Sequence, residues 1–149
     1  MLPVSFGSWK ITAEGVNGNP KTGWCRAVGQ FGGNEITILR GNLLPLYGKM
    51  FLSITMRGRA VPERYKGNAK LLLDGTPAAS GVIQDVGDWR GNKRTAFYSR
   101  ATFTKIDSLD EKLGRARKLA ITAEGFAELE LDGLELDRIT KELRRCLPQ

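Results

Sequence analysis

The rhythm of the turns restricts this chain more than any other feature. Through the first hundred residues turn-forming clusters recur at short intervals: Gly15-Val16-Asn17-Gly18-Asn19-Pro20, Phe31-Gly32-Gly33-Asn34, Asp74-Gly75-Thr76-Pro77 and Arg90-Gly91-Asn92-Lys93. Glycine and asparagine supply positive φ in such places, and proline pre-sets its own φ. Between the clusters lie short β-rich runs at 8–13, 24–30, 35–39, 50–56, 69–73, 82–86 and 95–98. Evenly spaced short strands with turn residues between them read as an antiparallel sandwich or barrel. The run at 50–56 places Met50, Leu52, Ile54 and Met56 on one face, the period of a half-buried strand. Arg90-Gly91-Asn92-Lys93 is suited to a hairpin joining 82–89 to 94–103.

Two helices are expected after this β region. For the first, Ser108 serves as N-cap with Glu111 reaching back in a capping box, and Leu109, Leu113 and Ala116 share a face. Two more strands, 118–124 and 126–131, pair across Gly125. The second helix is expected to start at Asp132 as N-cap with Glu135 at the third helical position. Leu136, Ile139, Leu143 and Cys146 then form one apolar stripe, which turns Cys146 toward the β body. Lys141, Arg144 and Arg145 fall in the last turns, where positive charge suits the helix dipole. The predicted fold is therefore mainly β: an antiparallel, sandwich-like domain with two short α-helices, the second C-terminal. At 149 residues, the chain is expected to be a single domain over 1–149.

Composition removes whole classes of chemistry. The sequence contains no histidine, which excludes Ser-His-Asp and Cys-His hydrolases, His-ligated zinc and His acid–base catalysis. No metal site and no cofactor are expected. The two cysteines, Cys25 and Cys146, sit near opposite ends, so no CxxC redox or zinc motif exists. They are either two buried thiols or one long-range disulfide. No apolar stretch approaches the length of a membrane span. Met1-Leu2-Pro3-Val4 lacks the regions of a signal peptide, although a mature chain behind a new start would read the same way.

The ordered set of motifs resembles a family of small bacterial envelope proteins. The pieces are Trp9-Lys10-Ile11, Gly23-Trp24-Cys25-Arg26-Ala27, Leu71-Leu72-Leu73-Asp74-Gly75, the helix at 109–116, Leu119-Ala120-Ile121 and the closing Leu131-Asp132-Gly133 to Leu143-Arg144-Arg145-Cys146. In their order along nearly the whole chain they are similar to the invasion-associated locus B proteins of α-proteobacteria, a periplasmic or secreted β-sandwich family. The segment 12–22 departs from that pattern and has no counterpart role. The resemblance implies export, a removed signal peptide and a Cys25–Cys146 disulfide. It implies no reaction, because that family is largely without an assigned activity.

The formal charge is +7 and the isoelectric point about 9.7. The excess is uneven: residues 1–106 hold 15 Lys/Arg against 6 Asp/Glu, and residues 107–149 hold 8 against 10. No block of five or six like charges is present, so no nucleic acid is expected as partner. The densest basic segment is 57–66, read as an exposed loop because Gly58 and Pro62 break any strand. Its Arg57, Arg59, Arg64 and Lys66, with Tyr65 among them, are candidates for binding a polyanion, since guanidinium forks suit carboxylate and phosphate groups. Other constellations weigh less. Gly29 with Gly32-Gly33 faintly resembles a phosphate loop but precedes a strand rather than a helix. Asp85 and Asp88 beside Trp89 would suit a carboxylate-dependent hydrolase only if both reached one bond, which a regular strand forbids. Ser80 and Ser99 lack a nucleophile motif. Trp9, Trp24 and Trp89 are expected in the core or half-buried rather than stacked on sugars.

The function expected from the sequence is a non-enzymatic exported envelope protein, periplasmic or secreted, that binds another macromolecule. The partner is another envelope protein or an anionic polysaccharide. The alternatives are a binder of polyanion or cell-wall carbohydrate through the basic loop, and, less favoured, the hydrolase.

Overall fold

A computed structural model describes residues 4–16, 19–41, 49–57, 61–89, 92–99 and 104–146. Eleven strands and two helices follow in the order β1 (Val4–Phe6), β2 (Trp9–Val16), β3 (Asn19–Phe31), β4 (Asn34–Gly41), β5 (Lys49–Arg57), β6 (Lys66–Leu73), β7 (Thr76–Trp89), β8 (Asn92–Ser99), β9 (Thr104–Lys105), α1 (Ile106–Arg115), β10 (Lys118–Ala123), β11 (Phe126–Asp132) and α2 (Leu136–Arg145). The mainly β, antiparallel class with two helices, the second C-terminal, is as expected. In place of two separate sheets, the strands share one hydrogen-bonded sheet in the order β1-β2-β3-β4-β5-β8-β7-β6-β10-β11, with β9 paired to β5.

The turns explain the pairing. Gly32 and Gly33 both have positive φ, and so do Asp74 and Gly75. A two-residue turn of this kind carries the twist that adjacent strands need, so it closes a hairpin. The first joins β3 to β4 and fixes Phe31 opposite Asn34. The second joins β6 to β7 and fixes Leu73 opposite Thr76. β2 and β3 form a long hairpin, with Val16 opposite Asn19.

The period-two pattern puts one face of the sheet into the core. Trp9, Gly29, Ile36, Ile54, Phe97 and Ile83 lie directly opposite one another across β2, β3, β4, β5, β8 and β7. The five with side chains are fully buried. Glycine is required at 29: a Cβ there would stand 2.5 Å from the Phe31 ring and 2.8 Å from the Trp9 indole. The two rings meet edge to face, 5.2 Å apart, over that gap.

The sheet curls so that its two ends approach, and α2 joins them. The Trp9 indole N–H on β2 donates to the Leu134 carbonyl, just past β11, at 2.7 Å. The Arg138 guanidinium of α2 lies 4.1 Å over the Phe6 ring of β1. Leu136, Ile139 and Leu143 of α2 are buried, as the apolar stripe predicted. Leu143 is wholly buried, so Leu143→Ala is expected to lower stability by roughly 2–5 kcal/mol. Urea unfolding measures this, and a change below about 0.5 kcal/mol would place the helix in solvent. The α1–α2 pair is tied by the Arg144 Nε–H donating to the buried Asp110 carboxylate at 2.6 Å.

Three sequence expectations need correction. The second helix begins at Leu136, not near Asp132, because Asp132 stays in the ladder opposite Lys118. Glu135 is its N-cap, in left-handed backbone with no side-chain cap. The first helix starts at Ile106, so Ser108 lies inside it rather than capping it. Finally, 57–66 is not all loop: Arg57 ends β5 and Lys66 opens β6. The proposed hairpin tip Arg90-Gly91 lies outside the described residues.

Asp74 links the β6–β7 turn to the start of β10. Its carboxylate accepts the Arg117 and Lys118 N–H groups at 3.0 and 2.9 Å. The Lys118 and Arg117 hydrogen bonds hold its pKa below the ordinary 3.8, because they favour the charged form. A depressed folded value means that the contribution is present above pH 3.8 and lost as pH falls through the folded value. Asp74→Asn keeps the left-handed turn but does not titrate. The stability gap between parent and variant is therefore expected to shrink as pH drops below about 4, a trend that denaturant melts at a series of pH values will read.

Candidate polyanion-binding face

The outward face of the sheet gathers the basic residues at one end. Thr55, Ala96, Gln84 and Lys66 form a directly paired row across β5, β8, β7 and β6. In the next row Arg57 lies opposite Arg94. Both are outward by strand alternation, since Met56 and Thr95 in the same strands are buried. Strand pairing thus brings Arg57 and Lys66 to the same end, with Arg64 just before Lys66. Lys70 continues the line on the same face of β6, roughly 13 Å beyond Lys66 at the usual strand rise. Arg57, Arg64, Lys66 and Lys70 are exposed. Among the described residues none of these four side chains enters an ion pair. Arg59 lies outside the described residues.

The segment 61–65 is pinned at several points. Val61 is buried. The Tyr65 N–H donates to the Pro62 carbonyl at 2.9 Å, and the Tyr65 hydroxyl donates to the Glu124 carbonyl at 3.1 Å. Asp85 holds the centre. One carboxylate oxygen accepts the Arg64 N–H and the other the Gly87 N–H, both at 3.0 Å. Arg64 itself sits in left-handed backbone with φ 62°. That conformation is unfavourable for a residue with a Cβ, and such positions cluster where a site is pre-formed.

Asp85 therefore positions a turn. Asp85 and Asp88 do not sit on the regular strand expected: β7 has a register shift between them and Gly87 has φ 79°. The side chains of Asp88 and Trp89 lie outside the described residues. Of the other tryptophans, Trp9 is core and Trp24 half-buried. Gly29, Gly32 and Gly33 belong to the β3–β4 hairpin. Among the described residues no group of His, Cys, Asp or Glu could hold a metal ion. No helix of the described residues is long and apolar enough to cross a membrane.

Cys25 on β3 and Cys146 at the end of α2 form a disulfide, with Cα atoms 6.2 Å apart and a sequence separation of 121. It fastens the helix that joins the two ends of the sheet. Sequence density pointed to Arg57, Arg64 and Lys66 but missed Arg94 and Lys70. The signal for Lys70 was the alternation of Lys66, Asn68 and Lys70 along one strand. A larger concavity of about 670 Å³ lies between the α1–β10 and β11–α2 connections. Its lining carries Arg115, Arg117 and Lys118 against Asp132, Glu135 and Asp137, so its charges offset one another. Comparison with protein-family models, curated proteins and solved structures found no match.

Proposed function

We propose that this is a non-catalytic, exported protein that holds an anionic polymer of the bacterial envelope against the basic end of its sheet. One observation carries the reading: Arg64 is exposed, outside any ion pair among the described residues, and fixed in left-handed backbone by Asp85. Arg57 and Lys66 stand at the same end, so a ligand meets positive charge already in place, and pre-organisation lowers the entropy lost on binding. Export is supported by the disulfide, since such bonds persist in oxidising compartments. Kinship with the invasion-associated locus B proteins would imply the same compartment, and we carry it as part of the proposal.

The test is retention on immobilised heparin. Arg57→Gln, Arg64→Asn and Lys66→Gln together remove three charges, and asparagine tolerates the left-handed position. The triple variant is expected to elute at lower salt than the parent. Its log-affinity against log-salt slope should flatten by about one for each contact removed. A control triple at Lys112, Lys141 and Arg145, exposed on the helices, should elute close to the parent. Thermal midpoints should barely differ, because exposed charges contribute little to stability. Coincident elution of both triples would make the basic end ordinary solvated surface.

A further inference from the structure

Beside the basic end, the outward face of β7, β6 and β10 forms a groove of about 480 Å³. That volume lies in the range of small-ligand sites. Its centre is a single cross-strand row: Ser80 lies opposite Lys70, and Lys70 opposite Thr122. Asn68 and Glu124 complete the polar lining, and the strand residues Ala69, Gly81 and Ala123 lie between these groups. Lys66, in the basic end described above, is two residues from Asn68 on the same face.

We propose that this groove is a subsite for a sugar ring carrying a carboxylate, and hence that the anionic polymer is an acidic polysaccharide. The inference rests on the polyanion reading and narrows it. Lys70 supplies one positive charge for one carboxylate. The hydroxyls of Ser80 and Thr122 both donate and accept, and the Glu124 carboxylate only accepts. A ring with hydroxyl groups can satisfy all of these. A polyphosphate cannot: its oxygens only accept, and Glu124 repels them. A lysine and two hydroxyls would serve phosphate as well as sugar, so the discrimination comes from the Glu124 carboxylate, to which a sugar hydroxyl can donate and a phosphate oxygen cannot.

The experiment is calorimetric titration of the parent and of the double variant Ser80→Ala/Thr122→Val at one fixed salt concentration. The probes are short polygalacturonate oligomers and polyphosphate of the same charge number. Both changes remove a hydroxyl and keep the strand, and thermal melts confirm that the variant is folded. The parent is expected to bind polygalacturonate more tightly than polyphosphate. The double variant should lose about tenfold in affinity for polygalacturonate, the scale of two hydrogen bonds, with polyphosphate binding unchanged. If the parent binds both probes and the variant weakens neither, or weakens both alike, the groove is not a sugar subsite and the basic face stands. Tighter binding of polyphosphate by the parent would have the same meaning. If the parent binds neither probe, the polyanion reading fails and the subsite with it.

Discussion

Reducing the Cys25–Cys146 bond is expected to lower the stability of the protein by up to about 5 kcal/mol. The figure is the chain-entropy value for a closed loop on the order of 120 residues, and strain or residual structure reduces it. Few single changes to a domain reach this size. The bond acts on the unfolded chain, which it forbids from separating β3 from α2, so its loss costs stability even though the core residues are unchanged. Cys25 is fully buried and Cys146 is 4% exposed; exchange with a small thiol therefore has to wait for local opening. Urea melts with and without reductant, and of the Cys25→Ala/Cys146→Ala protein, measure the effect. Thiol titration of denatured, unreduced protein should find none. Two reactive thiols would remove the staple, and the main support for export with it.

The second large effect is expected at Trp9. Trp9→Ala should lower stability by roughly 3–5 kcal/mol, since it empties a site in which the side chain is 1% exposed, as deletion of a large core aromatic does. Two losses combine. The indole fills the space over Gly29, and its N–H satisfies the Leu134 carbonyl. Trp9→Phe separates them, because it keeps an aromatic ring and leaves that carbonyl without its donor, a penalty of about 1–3 kcal/mol. An alanine variant less than about 1 kcal/mol below the parent would mean that β2 and the β11–α2 connection do not meet as described.

Much of the fold was legible because short-range chemistry and long-range pairing agreed. Gly32-Gly33 and Asp74-Gly75 announce their hairpins through the φ values that only such residues adopt freely. The stripe Leu136, Ile139, Leu143 and Cys146 announces a buried helix face. The errors arose where pairing overrode local preference. Asp132 has the chemistry of a helix cap, but the Lys118 partner keeps it in β11. Lys66-Gly67-Asn68 has the composition of a turn, yet β7 pairs with it residue by residue. The basic end was half legible: density along the chain shows Arg57, Arg64 and Lys66, and only strand pairing places Arg94 opposite Arg57 and Lys70 on the same face as Lys66. The row Ser80, Lys70 and Thr122 was not legible, because it exists only through the registers of three strands that the sequence keeps apart.

The position of α2 also sets an order of events for the growing chain. Hairpins β2–β3, β3–β4 and β4–β5 need only neighbouring sequence, so they can pair as they emerge. The two ends of the sheet cannot be joined until α2 appears. At typical synthesis rates of about 5–20 residues per second, the Cys25 thiol waits roughly 6–24 s for its partner, 121 residues later. During that interval β2 and β3 lack the helix that packs against them, and Cys25 lacks its second thiol. A chain ending before Leu136 would lack both the helix that joins the two ends of the sheet and the partner of the Cys25 thiol. Closure of the sheet and pairing of Cys25 therefore both depend on the arrival of α2.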